Sequence, residues 1–156
     1  MFSVKELMEI SVNVEENGEK FYRKLSKEAE DNKQKKLFED LADQETEHAK
    51  IFRELGEELK AEQENYVQTD DVYAYLRSYI KCKAFPSLEV VFERVKGIPF
   101  DGIIDYAIQI EKDTIHFYNE VLKFVKDEKS KKMIDAIIEQ EKKHVLELME
   151  LKGNMR

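Results

Sequence analysis

The strongest constraint on this chain is a polar pair that occurs twice, each time inside an otherwise apolar helical stripe. Glu45-x-x-His48 lies in LADQETEHAKIF (41–52), and Glu141-x-x-His144 lies in IIEQEKKHVLEL (137–148). Both residues repeat at one offset, since 141 − 45 = 96 and 144 − 48 = 96. Glu15 and Glu111 share that offset, as do Phe21 and Phe117, Tyr22 and Tyr118, Asp31 and Asp127, Gln44 and Gln140, and Leu55 and Leu151. The match runs without a gap from residue 3 to residue 60. A chain built this way is a duplicated unit, and its copies pair best about a pseudo-two-fold axis.

Each copy contains two segments whose apolar residues recur at steps of three and four, the period of a buried helical face. The first opens at Ser3, which with Glu6 has capping-box spacing, and its stripe is Leu7, Ser11, Val14, Gly18, Phe21, Leu25. A second helix is predicted from near Asp31, with Leu37, Leu41, Glu45, His48, Phe52 and Leu55 inward. The third follows Pro99, with Asp101 as its N-cap and Ile104, Ala107, Ile108, Glu111, Ile115, Tyr118, Leu122 and Val125 inward. The fourth starts near Asp127 and turns Ile134, Ile137, Glu141, His144, Leu148 and Leu151 inward. Between the pairs, DVYAYLRSYIKC (71–82) and SLEVVFERV (87–95) have the pattern of short helices, the latter ended by Gly97 and Pro99. Neighbouring helix ends need only a few linking residues, so this longer link suits a crossover along the bundle, roughly 40 Å for ~27 helical residues. The expected fold is all-α: a four-helix bundle of two duplicated hairpins (3–60 and 99–152), joined by a crossover (61–98) within a single domain over 1–156.

Composition agrees with helices and narrows the partners. The chain is 42% hydrophobic and 38% charged, with two prolines and five glycines to break helices. A net charge of −8 argues against nucleic acid and anionic membrane surfaces. The single cysteine, Cys82, excludes an internal disulfide and a CxxC metal knuckle, and is best read as a small apolar residue. No apolar run reaches the ~18 residues of a membrane span, and MFSVKELMEI lacks a signal-peptide core, so the cytoplasm is the expected compartment.

Glu45 and His48 are three apart on a helix and converge on one spot, as do Glu141 and His144. Glu15 and Glu111 interrupt the other two stripes, whereas Glu16, Glu19 and Lys20 fall on the solvated face. Four carboxylates therefore point into one core, with no Lys or Arg on the stripes to balance them. Burial of each costs several kcal/mol even after relaxation. Two divalent cations supply +4 against −4, and neutral imidazoles complete the shell with one nitrogen per ion. One Glu from each of two helices and a Glu-x-x-His from each of the others is the ligand pattern of di-iron carboxylate bundles. Imidazole with carboxylate also admits Mn or Zn.

Other residues carry weaker expectations. Tyr22 and Tyr118 follow the ligand glutamates by seven residues on the same face, as core filling, hydrogen-bond donors behind the ligands, or a radical relay. Gln44 and Gln140 are placed either to donate to the ligand carboxylates or to be solvated. His116, between Lys112 and Asn119 and with Lys20 as its repeat mate, is expected to be exposed.

With VEENGEKFY (14–22), LADQETEHAKIF, IEKDTIHFY (110–118) and IIEQEKKHVLEL in place, the chain resembles the rubrerythrin branch of the ferritin-like superfamily. The resemblance implies a ferritin-like bundle in which Glu15, Glu45, His48, Glu111, Glu141 and His144 take the six iron-ligand places. It implies a di-iron oxidoreductase acting on peroxide or dioxygen, as a homodimer fed by an external electron donor such as a rubredoxin. Rubrerythrins proper add a rubredoxin domain with two CxxC knuckles, and with one cysteine in these 156 residues no such domain is expected here. The family's further glutamate, three residues after the third-helix ligand, is here Thr114, and its repeat mate is Gly18. Two other readings stand beside this one: a ferroxidase or iron-storage protein of bacterioferritin type, and a non-catalytic protein with a structural metal pair.

Overall fold

The first helix, α1 (Val4–Glu28), begins where the capping box places it: Ser3 Oγ accepts from the Glu6 amide at 3.1 Å, and Glu6 Oε2 accepts from the Ser3 amide at 2.6 Å. It is followed by α2 (Asn32–Leu59), α3 (Leu88–Val95), α4 (Phe100–Leu122) and α5 (Glu128–Asn154). The computed structural model describes residues 3–59, 74, 78 and 88–154. The short helix expected over 71–82, and Cys82 within it, lie outside the described residues except for positions 74 and 78, which are helical.

The duplication sets the helix starts themselves, since 100 − 4 = 96 and 128 − 32 = 96. Both hairpin turns are stopped by the same residue type. Asp31 Oδ1 accepts from the Lys33 amide at 2.6 Å, and Asp127 Oδ2 accepts from the Ser130 amide at 2.9 Å and the Ser130 hydroxyl at 2.7 Å. Linkers this short force each helix pair to run antiparallel. The third long helix departs from expectation. Pro99, in extended backbone, is its N-cap, and Asp101 sits in the first turn, where its side chain accepts from the Gly102 amide at 2.9 Å. Proline presets φ and has no amide of its own to satisfy, which suits it to this position although it offers no side-chain cap.

The result is a four-helix, ferritin-like bundle in which the core lies between the two hairpins. Leu7, Phe21, Leu25, Leu41, Phe52, Leu55, Ile104, Ile134 and Leu148 are fully or almost fully buried, as their stripes require. Some predicted positions fall at the edge of the face instead: Leu37, Ile115, Leu122 and Leu151 are half-buried, while Phe38, Thr114, Phe117 and Val121 take the central places. Val125 is buried but lies beyond the end of α4. Helix α3 packs on α1 through Phe92, whose ring lies 6.4 Å from that of Phe21 with Lys24 Nζ 3.6 Å above its centre. Gly97, at φ 76°, turns the chain out of α3 toward α4 in a conformation that favours glycine. Among the described residues no helix is long and apolar enough to cross a membrane.

Candidate metal centre

Six ionisable side chains meet halfway along the bundle. Glu15 comes from α1, Glu45 and His48 from α2, Glu111 from α4, and Glu141 and His144 from α5. None of the six is more than 3% exposed. Glu16 and Glu19, next to Glu15, are only half-buried rather than fully solvated. They pair with Arg53 and Arg23 on the outside of the bundle.

The six do not form one undifferentiated cluster. Glu15, Glu45, His48 and Glu141 offer donor atoms within 4.8 Å of one another, and so do Glu45, Glu111, Glu141 and His144. Glu45 and Glu141 belong to both groups; Glu15 with His48, and Glu111 with His144, belong to one each. His48 Nδ1 lies 2.8 Å from Glu141 Oε1 and 3.4 Å from Glu15 Oε2. His144 Nδ1 lies 3.0 Å from Glu141 Oε2 and 3.4 Å from Glu45 Oε1. Glu141 thus offers one oxygen to each histidine. The two imidazoles lie face to face, 5.8 Å between centres and 21° from parallel.

These contacts leave atoms unsatisfied. Glu15 Oε2, both Glu141 oxygens and Nδ1 of both histidines are buried without a hydrogen-bond partner. An unpaired buried polar atom costs on the order of 1–3 kcal/mol, and native cores contain few of them. Five around one point, all oxygen or imidazole nitrogen, are the donor set of a first-row divalent metal pair. Among the described residues no Lys or Arg is buried, so no protein cation competes for the space.

Left to one another, the six groups settle their charge with protons. Burial pushes Glu45 well above the usual carboxylate range, helped by the charges of Glu141, Glu15 and Glu111. Glu141 is pushed up to about 8 by burial and then by Glu111 and Glu15. Burial acts upward on Glu111 as well, but its close contacts with Glu141, His144 and Tyr22 and the His144 charge outweigh it and hold Glu111 at about 2. Glu15 is lowered in the same way by Glu45, His48 and Tyr118 against its burial. Burial favours neutral imidazoles, yet the surrounding carboxylates raise both His48 and His144.

Two tyrosines and two glutamines complete the centre. Tyr22 Oη donates to Glu111 Oε1 and Tyr118 Oη to Glu15 Oε1, both at 2.5 Å and both from one hairpin to the other. The phenols are fully buried, so they fill the core and orient the ligands at once. Burial, then the neighbouring carboxylate charge, raises both phenols well above their ordinary range and keeps them protonated as donors. Tyr22→Phe and Tyr118→Phe are each expected to lower stability by about 1.5–3 kcal/mol, the range for a hydrogen bond to a charged group. An unchanged urea midpoint for both variants would reduce the phenols to filler. The glutamines do not reach the carboxylates: Gln140 Oε1 lies 2.5 Å from His48 Nε2, and Gln44 Oε1 lies 2.9 Å from His144 Nε2. Of the two readings the sequence offers, solvation holds for Gln140, which is exposed, and in part for Gln44, which is half-buried; neither reading anticipates the histidine partner. His116 is exposed on α4, outside the centre.

The rubrerythrin family model matches residues 6–152, a span that takes in all six side chains and both tyrosines. A crystal structure of a candidate ferritin-like diiron-carboxylate protein from Thermotoga maritima is similar at 29% identity and a TM-score of 0.75, over 99% of this chain and 97% of that one. None of the curated proteins compared matches the chain.

Proposed function

The chain belongs to the rubrerythrin family, and from that premise we propose that it is a non-haem di-iron oxidoreductase, which reduces hydrogen peroxide or dioxygen with electrons from an external carrier such as a rubredoxin. The observation that carries this reading is the set of five unsatisfied buried atoms on Glu15, His48, Glu141 and His144, all within the two overlapping donor groups. In this reading Glu15 and His48 would help to hold one ion and Glu111 and His144 the other, with Glu45 and Glu141 within reach of both. Iron is the metal we assign, with Mn or Zn compatible with the same donors. When bound, such a pair supplies the two electrons that cleave an O–O bond without releasing a radical.

The protein's own part is to hold and to exclude. Tyr22 and Tyr118 keep Glu111 and Glu15 ionised and fixed in direction through their hydroxyl protons. Leu41 and Phe52 flank the α2 motif, and Ile137 and Leu148 flank the α5 motif; all four are buried and keep bulk water away. Thr114, buried on α4 where rubrerythrins proper carry a further glutamate, removes one alternative ligand. That departure is why dioxygen stands beside peroxide as the oxidant.

The test is anaerobic. The iron-loaded, reduced protein is mixed with peroxide, and in parallel with dioxygen, in a stopped-flow spectrometer. One equivalent of peroxide per metal pair is expected to oxidise the metal fully. Metal that stays reduced with both oxidants would leave a structural centre. The proposed assembly is a homodimer; a many-subunit cage on a sizing column would favour iron storage.

A further inference from the structure

Resting on the two-metal reading, we propose that Gln44 and Gln140 are positioning residues: each carboxamide oxygen, reaching across the bundle, selects the imidazole tautomer that gives Nδ1 to the metal. Gln44 and His48 share one face of α2, and Gln140 and His144 share one face of α5. Neither glutamine serves its own histidine. Gln140 meets His48 and Gln44 meets His144, so the two hydrogen bonds form a reciprocal clasp between the two helices that carry the Glu-x-x-His motifs.

The chemistry of the groups fixes the direction of each bond. A neutral imidazole has one nitrogen that donates and one that accepts. A carbonyl oxygen can only accept, so the nitrogen facing it must carry the proton. Nδ1, on the carboxylate side, then presents a lone pair. Were either carboxamide turned over, its NH2 would demand the Nε2 lone pair and leave a proton on Nδ1, where a cation belongs. Only the orientation with oxygen toward the ring is compatible with metal at Nδ1.

Charge explains why an amide, and not a carboxylate, does this work. Four glutamates balance two divalent ions, and a carboxylate at 44 or 140 would add a fifth negative charge to a buried centre. The two clasps are also unequal. Gln140 is exposed and Gln44 half-buried, so the His48 clasp lies nearer to water.

Zinc is the probe, because it is diamagnetic and does not change oxidation state. In the 15N-histidine-labelled, zinc-loaded chain, His48 and His144 are expected to show metal-bound Nδ1 and protonated Nε2, with the Nε2 proton of His48 exchanging faster. His116, exposed on α4, is the internal reference. Gln140→Leu is expected to remove the single tautomer at His48 only and weaken zinc binding at that position about 10–100-fold. Gln44→Leu is expected to do the same at His144. Gln140→Glu, which still accepts from Nε2–H, is expected to restore the tautomer. A Gln140→Leu variant that melts earlier but keeps tautomer and affinity would make the glutamine merely structural and overturn the proposal. Protonated Nδ1 in the wild type would overturn it too. A wild type that takes up no zinc refutes the two-metal reading and this proposal together, whereas zinc uptake with unaltered variants refutes this proposal alone.

Discussion

Replacing Glu45 and Glu141 together with alanine is expected to take metal content from two ions per chain to none while leaving a folded bundle. The reason is topological: these two carboxylates are the only ones common to both donor groups, so their loss strips both positions at once. Glu15→Ala or Glu111→Ala removes a donor from one group only and is expected to leave one ion bound. Stability moves in the opposite sense from binding. Glu45 and Glu141 are the two carboxyls that burial and neighbouring charge most disfavour as anions, and without metal their removal relieves the core. The metal-free double variant is therefore expected to melt at or above the metal-free wild type. The wild type alone gains stability on metal addition, about 4 kcal/mol at a free-ion concentration 1,000-fold above Kd. Elemental analysis with paired thermal melts decides the matter. Two ions retained by the double variant would refute the ligand assignment.

Raising the pH from 6 to 9 is expected to destabilise the metal-free protein and strengthen the metal-loaded one. Glu45, Glu141, His48 and His144 all hold protons more tightly in the fold than their ordinary values of 4.5 and 6.5 allow, with Glu141 at about 8. Through this window the native chain binds more protons than the unfolded chain, so the slope of stability with pH is negative. The contribution of Glu141 is complete below 4.5 and is lost as pH rises through about 8; that of the histidines is complete below 6.5 and persists further. Glu111, held at about 2, works the other way, but only in acid below this window. Metal binding must expel these protons, so affinity rises with pH and the sign reverses. We expect the metal-free melting temperature to fall by on the order of 10 °C, given ~2–4 °C per kcal/mol for a chain of this size. A flat or rising metal-free profile would show that the cluster does not hold its charge balance with protons.

Periodicity and the repeat were enough to place the helices, the hairpins and the convergence of Glu15, Glu45, His48, Glu111, Glu141 and His144. A residue's angle around its own helix follows from its number, and all six fall inside the buried stripes. Angle alone does not say which neighbour a side chain meets. That is why the sequence leaves Gln44 and Gln140 between the carboxylates and solvent, whereas both meet the imidazole of the opposite helix. For the same reason the tyrosines could be read as packing, although each reaches a glutamate 89 or 103 residues away. Stripe edges were the other loss. Leu37 and Phe38 are adjacent and both apolar, and only packing of α2 decides that Phe38 turns fully inward. Asp101 looked like a cap because acidic residues favour the first helical turn, but Pro99 had already started the helix.

The crossed phenol bonds make neither hairpin self-sufficient. Each copy carries three of the six donors, yet the hydroxyl that steadies its lone glutamate is inherited from its sibling. Positions 22 and 111, and positions 118 and 15, are therefore tied to each other across the divide. Phe52 and Leu148, or Gly18 and Thr114, hold no such pledge and have already parted company, so the fused chain can specialise its two sides independently wherever no bond spans the divide.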